Sequence, residues 1–219
     1  MKISIITVCY NAADTLGDTL DSVAAQNYSN VEHIIVDGGS VDGTEEVVND
    51  KGRRVTVWRS ESDRGVYDGM NKGLLLASGE VIGFLNADDV YIHSDVLARV
   101  AATMADPVID ACYANLVYVE RKQTSRVVRH WTSQNYTPGL FEKGWMPAHP
   151  TFFVRKSVYE KLGGFNLRYR LQSDFASTDA PANRRSQMVR PRLAASNHST
   201  LNHLNHFKHR ELVVGFFGR

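Results

Sequence analysis

The residues best suited to chemistry are two adjacent carboxylates, Asp88 and Asp89, at the end of Gly79-Glu80-Val81-Ile82-Gly83-Phe84-Leu85-Asn86-Ala87-Asp88-Asp89. Like charges this close repel unless a cation sits beside them. Hard oxygen donors of this kind suit Mg²⁺ or Mn²⁺, ions that in turn hold the phosphates of a nucleotide. On its own the segment fits a second reading equally well: a loop in which a carboxylate accepts backbone N–H bonds ahead of the next helix.

Three other stretches end in ligand-type residues. Val8-Cys9-Tyr10-Asn11 offers a ring that can stack on a nucleobase and an amide that can cap a helix, or plain packing and capping. Asp37-Gly38-Gly39-Ser40-Val41-Asp42-Gly43 has three glycines in seven residues, which permits positive φ and close approach of backbone to a ligand. It is not an EF-hand loop, because Val41 stands where that pattern needs an oxygen. Neither a Walker loop nor a G-x-G-x-x-G fingerprint occurs, so any nucleotide is held without the two common phosphate cradles. The charged loop Glu61-Ser62-Asp63-Arg64-Gly65 leads into a helix carrying Asn71 and Lys72. It reads either as donors aimed at phosphate or ribose, or as a solvated loop braced by salt bridges.

The elements that must position these residues follow a βαβα rhythm. Apolar, β-rich runs at 2–8, 31–36, 55–59 and 81–85 alternate with helical periodicity at 14–26, up to 48, at 68–77 and at 95–104. Ser40 or Asp42 is placed to cap the second helix and Ser94 the fourth, and Pro107 stops the fourth. This order predicts an α/β fold, a mostly parallel sheet flanked by helices. Ligands bind outside the carboxyl ends of the strands in such sheets, and Tyr10, Asp37, Asp63 and Asp88 all fall on that edge. Beyond 109 the rhythm changes: 111–120 and 126–131 read as two strands of a hairpin or of a mixed extension, 134–150 as an irregular Trp/Pro/Gly-rich flap, 151–154 as a strand and 157–162 as a helix.

Composition sets the class. The chain has 219 residues, 43% hydrophobic and 22% charged, with a formal net charge of +1, which gives no reason to invoke nucleic acid as a partner. Both cysteines, Cys9 and Cys112, lie in apolar runs and read as free thiols of a reducing compartment. The first eight residues are too short and too soon polar for a signal peptide, and no apolar stretch reaches membrane-span length. A cytoplasmic location is expected, with peripheral contact to a membrane compatible. Residues 176–219 shift to a basic, His/Asn/Ser-rich composition that reads as a loosely docked or poorly ordered tail. Its histidines, His198, His203, His206 and His209, stand among Asn and Ser and make a weak case for a metal site.

Three separated stretches resemble glycosyltransferase family 2: Ser4-Ile5-Ile6-Thr7-Val8-Cys9-Tyr10-Asn11, Val36-Asp37-Gly38-Gly39-Ser40-Val41-Asp42-Gly43-Thr44, and Leu85-Asn86-Ala87-Asp88-Asp89. The resemblance covers roughly residues 1–175. It implies a GT-A-type, Rossmann-like fold with a nucleotide-binding half (1–106) and an acceptor-side half (107–175). It implies sugar transfer from a nucleotide-diphosphate donor to a glycan or lipid-linked acceptor in a single inverting displacement that needs Mg²⁺ or Mn²⁺. Residue by residue, it implies that Tyr10 and Asp37 lie at the nucleobase and ribose and that Asn71 and Lys72 lie near the donor. It makes Asp88, with Asp89, the metal ligand, Asp174 the general base, and His149 and Trp145 part of the acceptor side. Two departures stand out: Gly38 removes a carboxylate that many members place at the base, and Asn86 replaces the first acid of the D-x-D motif. After Phe175 the amphipathic helix expected of the family is broken by Asp179 and Pro181. A non-catalytic sugar-nucleotide or glycan-binding relative is therefore the alternative. A nucleotidyltransferase is weaker, since Asn11-Ala12-Ala13-Asp14 makes a poor triphosphate loop.

Overall fold

The structure, a computed structural model, describes residues 1–121, 123–167, 187–189 and 211–214. In chain order the elements are β1 (Ile3–Cys9), α1 (Leu16–Ala24), β2 (Val31–Asp37), α2 (Thr44–Lys51), β3 (Val55–Ser60), α3 (Val66–Leu76), β4 (Val81–Phe84), β5 (Val90–Tyr91) and α4 (Val96–Met104). Then come β6 (Ile109–Cys112), β7 (Leu116–Glu120), β8 (Gln123–Trp131), β9 (Phe153–Arg155), α5 (Lys156–Leu162), β10 (Gln187–Val189) and β11 (Glu211–Val214). The main sheet has the order β10-β6-β9-β4-β1-β2-β3, and a smaller sheet runs β5-β11-β7-β8. β3, β2, β1 and β4 are mutually parallel. β9 runs antiparallel between β4 and β6. The mixed, mostly parallel sheet flanked by helices is the α/β class expected.

Strand alternation sends successive residues of β1 to opposite layers. Ile3 and Ile5 join Val96, Leu97, Val100 and Met104 of α4 in one core, while Ile6 joins Ile34, Val36 and Met70 in the other. Helix α3 lies hard against β1 because Gly69 and Gly73, one turn apart, face it. A Cβ on Gly73 would stand 2.3 Å from Ile6 Cγ2, and one on Gly69 2.6 Å from Val8 Cγ1. Both glycines lower helix propensity, and the close approach is what they provide in return. It sets where the loop ahead of α3 sits relative to β1 and β2.

Three local expectations change. The run 111–120, read as one strand, is two strands in different sheets. At Ala114 the backbone leaves the ladder: its N–H donates to Thr151 Oγ1 (3.1 Å), and its carbonyl accepts from Ser133 Oγ (2.8 Å) and Thr151 Oγ1 (3.1 Å). The strand after the flap is Phe153–Arg155, preceded by a turn of 3-10 helix at His149–Thr151. Within the tail expected to dock loosely, 187–189 pairs with β6, and 211–214 pairs with β5 and β7. Among the described residues no helix is long and apolar enough to cross a membrane.

Candidate active site

The carboxyl ends of β1, β2, β3 and β4 and the loops that follow them form one edge. At the end of β1, Tyr10 is 66% exposed. Asn11 follows with a positive φ of 49°. Rather than capping α1, Asn11 Oδ1 accepts the Val41 N–H at 3.1 Å, and its own N–H donates to Ser40 Oγ at 2.7 Å. These bonds tie the first loop to the second. The positive φ expected of the glycine-rich loop is present at Gly39 (87°) and Gly43 (96°).

Asp37, the last residue of β2, is buried and turned into its own loop. One oxygen accepts the N–H groups of Gly39 (3.1 Å) and Ser40 (2.9 Å) and the Ser60 hydroxyl (2.7 Å). The other accepts from the Ser40 hydroxyl. Burial would raise its pKa, but these donors outweigh it and hold the carboxyl below the usual carboxylate range. Asp37 therefore shapes the loop from beneath, and what faces solvent beside it is Tyr10 and the backbone of 38–40.

The third loop contributes Asp63, which the sequence placed on this edge without a specific role. Asp63 is half-buried, and its Oδ1 accepts the Gly65 N–H at 2.8 Å. Its Oδ2 reaches over Gly38: a Cβ on Gly38 would meet Asp63 Oδ2 at 2.9 Å and Tyr10 Cδ2 at 3.3 Å. The space that Gly38 leaves is thus filled by a carboxylate from another junction, next to the Tyr10 ring. The glycine itself was the only sequence signal for this, a position with room for a neighbour.

Asn71 and Lys72 brace the structure. Asn71 Oδ1 accepts the Phe165 N–H (2.8 Å) and its amide donates to the Phe165 carbonyl (2.9 Å), which clamps α3 to the chain beyond α5. Lys72 Nζ donates to the Ser62 carbonyl (2.9 Å) and pairs with Glu61 (3.2 Å) and Asp68 (3.7 Å). Of the two open readings of this loop, the salt-braced one describes what these side chains contact.

The β4 junction separates the paired carboxylates. Asp88 is exposed, whereas Asp89 is 1% exposed and accepts the Asn86 amide at 2.8 Å. Thr19 Oγ1 donates to the Asp89 carbonyl (2.9 Å), which pins the turn to α1. Asn86, in the D-x-D position, therefore serves Asp89. Among the described residues no group of three or more His, Cys, Asp or Glu could hold a metal unaided. A single exposed carboxylate still fits Mg²⁺ or Mn²⁺ bound mainly through substrate phosphates, since Mg²⁺ commonly takes one or two protein carboxylates.

On the acceptor side, the His149 ring lies 5.5 Å from that of Phe84, at the end of β4, and 5.9 Å from that of Phe165. Trp145 packs against Tyr113 (5.5 Å) and Phe141 (5.7 Å), so the expected flap is anchored by an aromatic cluster. Asp174 lies outside the described residues.

This arrangement can be set against known proteins. The sequence pattern "Glycosyl transferase family 2" matches residues 4–163. The chain belongs to that family. A PGL/p-HBAD biosynthesis glycosyltransferase of Mycobacterium tuberculosis is 36% identical over 176 residues, which are 78% of this chain and 66% of the relative. The chain therefore spans just under two thirds of that relative's length. The UDP-Glc:alpha-D-GlcNAc-diphosphoundecaprenol beta-1,3-glucosyltransferase WfaP of Escherichia coli is 31% identical over 120 residues, 54% of this chain and 47% of that protein. Among solved structures, the mannosyltransferase PcManGT of Pyrobaculum calidifontis, in complex with GDP-Man and Mn²⁺, superposes with a TM-score of 0.66 at 22% identity. That match covers 87% of this chain and 54% of PcManGT. S. aureus TarS 1-349 superposes at 0.68 with 19% identity over 86% of this chain and 58% of TarS. These two likenesses establish the GT-A fold.

Proposed function

We propose that this family 2 chain transfers a sugar, with inversion, from a nucleotide-diphosphate donor to a glycan or lipid-linked acceptor, in cell-surface polysaccharide or glycolipid synthesis. The observation that carries the reading is the exposed Asp88 carboxylate ending β4 on the same sheet edge as Tyr10 and the glycine-rich loop. Tyr10 offers an exposed ring to the nucleobase, and the loop shaped by Asp37 presents backbone where ribose and phosphate would lie. Asp88 would hold Mg²⁺ or Mn²⁺ together with the donor phosphates. Such an ion neutralises the charge that grows on the departing nucleotide diphosphate. Asp174 is the base in this reading, taking the proton of the acceptor hydroxyl, and its assignment rests on the family resemblance alone. His149, beside Phe84, and the Trp145 cluster form the acceptor wall. WfaP is named for a diphosphoundecaprenol-linked acceptor, which supports an acceptor on a lipid.

The test is calorimetric binding of nucleoside diphosphates with Mn²⁺ and with a chelator. Asp88→Asn is expected to remove the Mn²⁺-dependent part of the affinity. Unchanged Mn²⁺-dependent affinity in that variant would overturn the assignment. Asp174→Asn should leave donor affinity in place and abolish transfer, and full transfer by that variant would place the base elsewhere.

A further inference from the structure

We propose that Asp63 is the residue that reads the nucleobase and that it selects bases presenting a ring N–H, the uracil and guanine class, over cytosine and adenine. The proposal rests on the donor reading above and adds to it the specificity of the base pocket.

The geometry begins at Gly38. Asp63 Oδ2 and the Tyr10 ring edge both lie within 3.3 Å of the point that a residue-38 Cβ would occupy. A base stacked on Tyr10 would therefore bring its edge toward that carboxylate. The carboxylate is aimed by its other oxygen, which accepts the Gly65 N–H at 2.8 Å. Gly69 of α3 borders the same oxygen: a Cβ there would lie 3.4 Å from Asp63 Oδ2. No hydrogen bond from another described residue reaches Oδ2, whereas both oxygens of neighbouring Asp37 are engaged. Asp63 is thus the carboxylate at this junction with an acceptor to spare.

The chemistry follows from what an ionised carboxylate can do. It accepts hydrogen bonds and donates none. Uracil and guanine place a ring N–H on their pairing edge. Cytosine and adenine place a bare ring nitrogen there, whose lone pair would face the carboxylate even as their exocyclic amine approaches it. A hydrogen bond to a charged group outweighs a neutral one, and an unsatisfied pair in a half-buried slot adds to the difference.

The experiment measures the affinities of UDP, GDP, CDP and ADP by calorimetry, for the parent chain, for Asp63→Asn and for Gly38→Ala. The parent is expected to bind UDP or GDP on the order of tenfold or more tighter than CDP and ADP. Asp63→Asn should narrow that ratio by most of this factor while its melting temperature stays at the parent value. Gly38→Ala reaches the same interaction from the other side: its methyl occupies the space of Oδ2 and must displace the carboxylate, so it too should narrow the ratio. A ratio unchanged in both variants, or a parent preference for CDP or ADP, would overturn the role of Asp63 while leaving donor binding intact. No binding of any of the four nucleotides by the parent would instead overturn the donor reading, and the role of Asp63 with it.

Discussion

Strand β2 carries a carboxylate near each end, and the fold treats them differently. Near the amino end, Glu32 accepts from Lys2 Nζ (2.9 Å), Ser4 Oγ (2.6 Å), and the Ser78 N–H and hydroxyl (2.8 Å each). Ser4 Oγ in turn accepts the Gly79 N–H at 2.8 Å. These partners lie 28 to 46 residues away in sequence, so the group fastens β1, β2 and the turn before β4 together. At the carboxyl end, Asp37 draws donors from its own loop and from Ser60 on β3, and around it Tyr10, Asp63 and Asp88 are left in reach of solvent. One edge of the sheet is closed by long-range bonds between polar groups. At the other, long-range bonds join loop to loop, from Asn11 to Ser40 and Val41 and from Asp37 to Ser60, and leave Tyr10 and Asp88 outside them. Ligand-binding residues sit on loops that a scaffold positions, and here the fastening end and the candidate binding end are the two ends of one strand.

Substitutions at the two ends test this contrast. Glu32→Ala should have the largest effect of the substitutions, a loss of about 3 kcal/mol in denaturant unfolding, because it strands the buried Ser4 hydroxyl and takes the carboxylate from Lys2 and Ser78. Nucleoside diphosphate affinity should not change. A loss below about 1 kcal/mol would mean that the closed edge is no more a fastener than the open one.

Acid should act through the same strand. His33 is fully buried, with Nε2 3.1 Å from Thr7 Oγ1. Burial first, and then the Arg54 charge, pushes its pKa down to about 3 from 6.5. The folded state therefore refuses a proton that the unfolded chain takes up below pH 6.5. Stability is complete above that pH and should fall by about 1.4 kcal/mol per pH unit as pH drops toward 3. Burial would raise the Glu32 pKa, but its donors hold it down at about 2. The stability it contributes is present above pH 4.5 and is lost as pH falls from there to 2, so the slope should steepen below 4.5. Glu32→Gln should remove the steepening and keep the first slope, as read from urea midpoints across pH.

Asp37→Ala should cost about 2 kcal/mol, since it leaves the Gly39 and Ser40 N–H groups without their acceptor. By collapsing the loop it should weaken free nucleotide and nucleotide sugar by a similar factor. If only the sugar nucleotide weakens, Asp37 acts on the sugar rather than on the loop. Asp88→Asn should have the smallest effect on stability, within about 0.5 kcal/mol, as expected of an exposed carboxylate. A larger loss would show that Asp88 is part of the packing.

Much of this was legible in the sequence. The strands 81–85 and 31–36 were readable as short unbroken apolar runs, buried along nearly their whole length, and the helix at 95–104 by its period of 3.6. The break of β6 from β7 at Ala114 was not, because its cause is Thr151 and Ser133, far along the chain. For the same reason the residues alone left open whether Asn71 and Lys72 face a donor, and only the family resemblance placed them there. Their nearest partners in space, Phe165 and the loop 61–62, become neighbours only once α3 has packed.

The sequence by itself determined the βαβα order, the strand ends at which ligand-type residues appear, and the family motifs they spell. Those are properties of short segments, and backbone sterics and hydrophobic periodicity act over short segments. Tertiary structure alone decided that Asp88 faces out while Asp89 turns in, that Asp63 fills the space Gly38 leaves, and that Glu32 fastens one edge of the sheet. Each of these depends on which group supplies a hydrogen bond or yields room, and most of those groups are brought together only by the packing of separate elements.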